Sequence, residues 1–440
     1  MTSVYDPRPF ADNGPFANDG PFGHHGPGLS APAQRAARRI AMLSMHTSPL
    51  AQLGGREAGG MNVYVRELSQ ALGERGYAVD VFTRRESPDA PAEQPFGPSA
   101  RVVQVDAGPP QPLAKDEVAH HIDAFAAGVR GFAARASLTY DVVHSHYWMS
   151  GAAGIALAEA WDVPHIAMFH TLGEVKNRAR ITEREPATRI AAEAAIAAAA
   201  DRIVVATDHE RDVLTSLYRA DPSRIVVVPC GVDTDVFAPV EKGVARRELG
   251  LPADKRLLLY VGRIEPLKGI DVLIGAAAAL HEDEDFLVLI VGGDARAAGE
   301  MAALRAQAEQ LGVDHHISFV GAVDHARLPL YYSAADVCVV PSYYESFGMV
   351  AVEAMACGTP VVASRVGGLA STVADGETGY LISWRCPEPF AERLEQLLEN
   401  DELRASFGAA AREAAERYRW PAVADAIASV YADILAARAR

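Results

Sequence analysis

One rhythm constrains the fold of this chain more than any other feature. From Arg38 onward, short runs rich in Val, Ile and Leu alternate with stretches of helical length. The first half carries RIAMLS, YAVDVFT, ARVVQV, YDVVHSH, HIAMFH, DRIVVAT and RIVVVP; the second carries RLLLYVG, DFLVLIVG, HISFVG, DVCVVPS and TPVVAS. Runs this short and this continuously apolar are buried on both faces, as parallel strands are when helices cover each side. Two such series predict an α/β protein with two doubly wound parallel-sheet domains. A length of 440 residues agrees, since it exceeds what one core organises.

The expected boundaries follow from composition. Residues 1–36, with the repeat PFADNG, PFANDG, PFGHHG, bury too little apolar surface to order themselves and read as a disordered tail. One domain is expected over 37–234 and the second over 235–420, joined near CGVDTDVFAPVEKG, where Pro, Gly and Asp cluster. A break at RYRWPAVADA predicts that the last helix, about 421–440, crosses back to the first domain.

The formal net charge of −16 argues against nucleic acid or an anionic membrane as partner. Any anion site must therefore be built from a few placed cations. Cys230, Cys338, Cys357 and Cys386 form no C-x-x-C pair and read as buried free thiols in a reducing cytoplasm. No apolar run approaches the ~18 residues a membrane span needs. The stretch YVRELSQALGER carries as many acids as bases, unlike a basic membrane-surface helix.

Ligands of open α/β sheets sit at the carboxyl ends of strands, and the chemically informative residues fall there. Gly59 and Gly60 open the helical run MNVYVRELSQAL, where a backbone free of side chains can meet an anion. In VGRIEPLKGID, Arg263 and Lys268 follow a strand, and two cations there can hold a diphosphate. In ESFGMVAVEAMACGTPVVAS, Glu345 and Glu353 are eight residues apart, roughly 10 Å along a helix axis. A retaining hydrolase needs its carboxyls about 5 Å apart. The wider spacing suits two ends of one extended ligand, with Gly348, Met349 and Val350 offering backbone N–H groups between them. The DTD of VDTDV falls in the interdomain linker and is not read as a metal motif. Neither G-x-G-x-x-G nor a Walker A pattern occurs, which weighs against a dehydrogenase or a P-loop enzyme.

From about residue 38 to the end, these motifs together resemble the retaining GT-B glycosyltransferases of family four. The resemblance implies two Rossmann-like domains facing across a cleft that holds a nucleotide-sugar. It implies that Arg263 and Lys268 hold the donor diphosphate, that Glu345 contacts the donor sugar and Glu353 the ribose, and that His170 lies beside the sugar. The stretch SMHTSPLAQLGGREAGGMNVYV further resembles the D-inositol-3-phosphate N-acetylglucosaminyltransferases that begin mycothiol synthesis. Those enzymes imply UDP-GlcNAc as donor and 1D-myo-inositol 3-phosphate as acceptor. The implied acceptor-phosphate ligands are Lys115, Tyr147, Thr171 and Arg189, with His46, Gly59, Gly60 and Asn62 beside them; GGRE replaces the usual Gly-Thr-Gly-Asp of those enzymes and puts Glu57 in the acidic position of the acceptor loop. Gly60 also borders the donor. Catalysis is expected to need no cofactor, while a structural magnesium ion is implied near Tyr332, Ser333, Ala335 and Thr359. A homodimer is compatible with the resemblance. Sucrose-phosphate synthases share much of the pattern, so a different phosphorylated sugar acceptor stays open. A silent nucleotide-sugar-binding protein is the reading of another class; retention of His170, Arg263, Lys268 and both glutamates speaks against it.

Overall fold

The computed structural model describes residues 38–51, 59–179, 184–280, 285–293, 297–383 and 386–440. The repeat-bearing tail and Glu57 lie outside them. The first sheet has β1 (Arg39–Leu43), β2 (Ala78–Arg84), β3 (Glu93–Pro95), β4 (Ala100–Val105), β5 (Val142–His146), β6 (His165–Met168), β7 (Arg202–Val205) and β8 (Ile225–Val227). The second has β9 (Arg256–Val261), β10 (Phe286–Val291), β11 (Ile317–Gly321), β12 (Val337–Val340), β13 (Val361–Ser364) and β14 (Gly379–Ile382).

The spatial orders are β3-β4-β2-β1-β5-β6-β7-β8 and β11-β10-β9-β12-β13-β14. Pairing is parallel except for β3 against β4. In each sheet the order reverses beside the first strand, between β1 and β5 and between β9 and β12. Such switch points open a crevice at the strand ends. The twelve runs read from the sequence are all strands. Two more were not anticipated. β3 is an exposed edge of sequence EQP, with none of the residues that favour strands. β14 is only GYLI, carried by pairing with β13.

Strands β1, β5, β12 and β13 are almost wholly buried, as their unbroken apolar character requires. One apolar cluster runs from Ile40 and Tyr64 in the first domain through Trp420 and Tyr431 to Phe347 and Leu369 in the second. Two further clusters fill the remaining faces of the two sheets. The chain crosses between domains twice, and the crossings lie side by side: Val232 N–H donates to Tyr418 O at 2.8 Å. Within the first crossing, Asp233 Oδ1 accepts the N–H groups of Asp235 and Val236 at 3.0 and 3.1 Å, so this DTD forms a turn.

The helix Trp420–Arg438 packs on the helix Gly60–Glu74. Arg75 Nε meets Asp425 at 2.6 Å and Arg438 Nη2 meets Asp162 at 2.7 Å. At 19 residues and mean hydropathy 1.2, this helix is long and apolar enough to cross a membrane by length and composition. That corrects the expectation from uninterrupted apolar runs, because Asp425 and Asp433 break the run without breaking the helix. Its buried face, including Val423, Ile427 and Ile434, belongs to the protein core. The cysteines need a second correction. Cys230, Cys338 and Cys357 are buried, but Cys386 is exposed, because it precedes Pro387 at the surface end of a helix.

The helix Lys242–Leu249, which follows the linker, is anchored through buried Asp336. Its carboxylate takes Lys242 at 2.8 Å, Arg246 at 2.9 Å and the Leu257 N–H at 2.7 Å. Burial pushes this carboxyl up, but Lys242, the Leu257 N–H and Arg246 outweigh it and hold it below its ordinary value. Replacing Asp336 by Ala is expected to cost about 3–5 kcal/mol in chemical denaturation, the scale for breaking a buried pair. The wild-type contribution is complete above the unfolded pKa of about 3.9. It is lost as pH falls through the lower folded value, so the gap between the two proteins should close only below about pH 4.

Candidate active site

The loop after β1 is shaped from within. Ser44 Oγ donates to Thr47 O at 2.7 Å, and Asn62 Nδ2 donates to Thr47 Oγ1 and Ser48 O, both at 2.7 Å. Asn62 Oδ1 accepts the Gly59 N–H at 2.9 Å, which caps the helix Gly60–Glu74. Asn62 is buried, so it ties the loop to the helix instead of facing the crevice. A Cβ on Gly59 would meet nothing within 4 Å, whereas one on Gly60 would lie 3.0 Å from Met349 Sδ of the second domain. Gly60 thus brings the N-terminus of one helix close to that of Met349–Ala356, while Gly59 has open space around it. Residues 52–58, with Glu57, lie outside the described part.

The sequence-derived phosphate set comes together. The Lys115 ammonium lies 5.8 Å from the centre of the Tyr147 ring and the Arg189 guanidinium 5.0 Å, both within cation–π range. Arg189 Nη2 donates to Thr171 O at 3.0 Å and to its hydroxyl at 3.2 Å. His46 packs its ring 4.4 Å from that of Tyr147. Burial first, then Lys115, His170, Arg189 and Lys176, push His46 well down from its ordinary value, so it is neutral. Tyr147 sits at φ 74°, in a region that side chains avoid. Such strain, about 1–3 kcal/mol, clusters at functional sites.

Sequence reading missed the groups that hold this cluster. Arg189 is buried, with Nε on Glu193 at 2.7 Å and Nη1 on Glu185 at 2.8 Å. Glu193 also takes the Gly173 N–H at 2.9 Å and the Tyr218 hydroxyl at 2.5 Å. Lys176 reaches Glu185 at 3.3 Å. Burial and then Arg189 push Lys176 down. The Glu185 carboxylate therefore lies between two cations, as two oxygens of a phosphate would. The i,i+4 spacings of Glu185, Arg189 and Glu193 were the available signal.

His170 lies in the loop between β6 and the helix Gly173–Ala179, in the left-handed region at φ 59°. Its Nε2 is 2.9 Å from His146 Nδ1, and its carbonyl accepts the Ser346 hydroxyl of the second domain at 2.7 Å. Burial lowers the His170 pKa to about 3, so the ring is neutral at physiological pH.

Across the crevice, the first turn after β9 and the loop after β12 carry the second constellation. Lys268 Nζ lies 2.7 Å from Glu345 Oε2, each side chain one-fifth exposed. Gly269 is required behind Lys268: φ is +68°, and a Cβ would lie 2.0 Å from Pro341 O. Arg263 pairs with Glu265 at 3.0 Å and is nearly half exposed. Gly348, at φ +97°, starts the helix Met349–Ala356, and the first intrahelical donor is the Ala351 N–H. The N–H groups of Met349 and Val350 thus precede it, as in helix-terminal anion sites. Glu353 is buried on that helix. It accepts the Tyr332 hydroxyl at 2.8 Å and lies 3.6 Å from His325 Nε2. Glu345 and Glu353 are therefore set apart, one in a loop beside Lys268 and the other buried on the helix that follows.

The magnesium set is also gathered, but its polar groups are already engaged. Thr359 Oγ1 donates to Tyr332 O at 2.7 Å, Ser333 Oγ accepts the Val240 N–H at 3.1 Å, and the Tyr332 hydroxyl serves Glu353. Ala335 ends the same helix, Leu328–Ala334. A hard dication takes carboxylates and waters in preference to paired hydroxyls. The set as arranged does not fit magnesium.

Comparisons with known proteins agree with the two-domain fold. Residues 58–236 match the model Glycosyltransferase Family 4, and residues 241–414 match Glycosyl transferases group 1. The chain is 46% identical over 403 residues to D-inositol 3-phosphate glycosyltransferase 2 of Catenulispora acidiphila, covering 90% of this chain and 94% of that protein. It is 45% identical to the D-inositol 3-phosphate glycosyltransferase of Acidothermus cellulolyticus, covering 93% of each. The solved sucrose-phosphate synthase of Thermosynechococcus elongatus superposes with a TM-score of 0.84 at 35% identity, covering 91% of this chain and all of that one. With two doubly wound domains, a crevice at both switch points and relatives matched over nearly their full lengths, the chain belongs to the GT-B glycosyltransferases of family four.

Proposed function

We propose that this enzyme is a retaining transferase that moves N-acetylglucosamine from UDP-GlcNAc to 1D-myo-inositol 3-phosphate. The observation that carries the reading is the convergence of Lys115, Thr171 and Arg189 around the Tyr147 ring in an otherwise acidic protein. Core packing asks for no such cluster, and a phosphorylated acceptor does. The names of the relatives from Catenulispora acidiphila and Acidothermus cellulolyticus support inositol 3-phosphate as that acceptor.

In this reading the donor diphosphate lies against Arg263, Lys268 and the N-terminus of Met349–Ala356. The bond from the anomeric carbon to the diphosphate breaks, and the acceptor oxygen bonds to the same face of the sugar. The acceptor hydroxyl proton passes to the departing diphosphate. The protein orients both partners and stabilises the charge that develops on the leaving group. Glu345 contacts the donor sugar, Glu353 the ribose, and His170 orients the sugar. Both substrates are soluble, and the cytoplasm is the compartment this chemistry implies.

A second reading has one observation behind it, the 35% identity to a sucrose-phosphate synthase. It keeps the chemistry and exchanges the acceptor for a phosphorylated sugar. A matrix of UDP-GlcNAc and UDP-glucose against inositol 3-phosphate, fructose 6-phosphate and unphosphorylated inositol, read by product mass, separates the two. The expected product is GlcNAc-inositol phosphate. Product only with fructose 6-phosphate would replace the first reading, and efficient use of plain inositol would overturn both.

A further inference from the structure

The strand β5 ends in His144-Ser145-His146, and the period of two puts both histidines on one face. All atoms of this face are buried. His144 Nδ1 pairs with the Tyr431 hydroxyl of the returning helix at 2.7 Å, and its ring lies 4.5 Å from that of His146. His146 Nδ1 pairs with His170 Nε2 at 2.9 Å. His146 Nε2 is buried with no hydrogen-bond partner among the described residues. The other nitrogen of His170, Nδ1, likewise takes no partner among them, but His170 is only half-buried.

We propose that His146 is a positioning residue that donates its Nδ1–H to His170 Nε2 and so holds His170 as the tautomer with its proton on Nδ1, facing the crevice. Two neutral arrangements satisfy the 2.9 Å contact. In one, His170 donates and His146 must carry its own proton on Nε2, a buried N–H with no acceptor. In the other, His146 donates and its Nε2 keeps only a bare lone pair. An orphaned buried N–H is the rarer and costlier defect. The second arrangement therefore prevails. Desolvation by the packed neighbours lowers both imidazoles from their ordinary value, so a doubly protonated ring does not intervene. The consequence for His170 is specific: it presents a hydrogen-bond donor, not an acceptor, to whatever occupies the crevice beside it. A sugar hydroxyl or the bridging oxygen of a leaving group can accept that bond. The left-handed backbone of His170 and the Ser346 bond to its carbonyl fix where the ring starts, and His146 fixes how it is turned.

The first test needs no substrate. Nitrogen-15 spectra of the full-length protein with labelled histidine at neutral pH, assigned with His170→Gln, are expected to show His170 protonated on Nδ1 and unprotonated on Nε2. The reverse tautomer overturns the proposal. The second test is kinetic and relies on the function proposed above only for its substrates. His146→Leu is expected to lower kcat by about 10–100-fold, with the acceptor KM changed by less than about threefold. His146→Asn, whose amide N–H can replace Nδ1–H, is expected to recover most of that loss. Equal impairment of the two variants, or full activity of His146→Leu, overturns the proposal. If His146→Leu does not fold, the wild-type spectrum still decides. A correct tautomer with no turnover on inositol 3-phosphate would count against the substrate assignment and leave the His146 role standing.

Discussion

Lys268→Ala is expected to lower kcat by about 10²–10³, or about 3–4 kcal/mol, the scale of losing one preorganised group that meets developing charge. Two features set this magnitude. Lys268 is largely shielded from water, which strengthens its field on a leaving diphosphate. It is also the partner of Glu345 at 2.7 Å, so its removal leaves a carboxylate facing the phosphates with no compensating cation. Arg263 is paired with Glu265 and nearly half exposed, so it should not substitute for the lost charge. The measurement is kcat with both substrates saturating, alongside a thermal melt to exclude unfolding. A variant that keeps more than half the wild-type kcat would remove Lys268 from its assigned place. Lys268→Arg is expected to recover only part of the rate, since a planar fork does not occupy the position of a compact ammonium.

The main features of the fold were legible because parallel strands buried on both faces must be apolar along their whole length. That rule identifies β1, β5 and β12 directly. It fails for β3, whose residues Glu93–Pro95 are exposed and held only by antiparallel pairing with β4. It fails again for the length of Trp420–Arg438, where two aspartates interrupt an apolar face that helical geometry restores. In the site, strand-end position made His170, Lys268 and Glu345 conspicuous. Lys115 and Arg189 were found through resemblance, because nothing local says that the first residue of one helix will meet another seventy residues later over the face of Tyr147. Glu185, Glu193, Lys176 and His146 were missed for a related reason. Each acts by holding another residue, and a supporting role shows only when distances do.

Arg189→Ala should expose both roles of that arginine at once. As an acceptor ligand, its loss is expected to raise the acceptor KM by about 100-fold, within the 2–5 kcal/mol range for truncating one partner of a buried charge pair. The donor KM and the slow hydrolysis of donor by water should change little, because Lys268, Arg263 and Glu345 lie in the other domain. As a structural group, its loss strands Glu193, which is fully buried and keeps only the Gly173 N–H and the Tyr218 hydroxyl. A lower melting temperature is therefore expected too, and stability alone cannot identify the ligand role. The ratio between substrates does. A protein that is merely loosened loses donor hydrolysis along with transfer, whereas one that has lost its phosphate ligand keeps hydrolysis and loses transfer. Inositol without its phosphate supplies the matching control: a poor substrate for wild type, and scarcely poorer for the variant. If the mutation instead weakens the donor and spares the acceptor, Arg189 serves the fold alone and the phosphorylated acceptor must be abandoned.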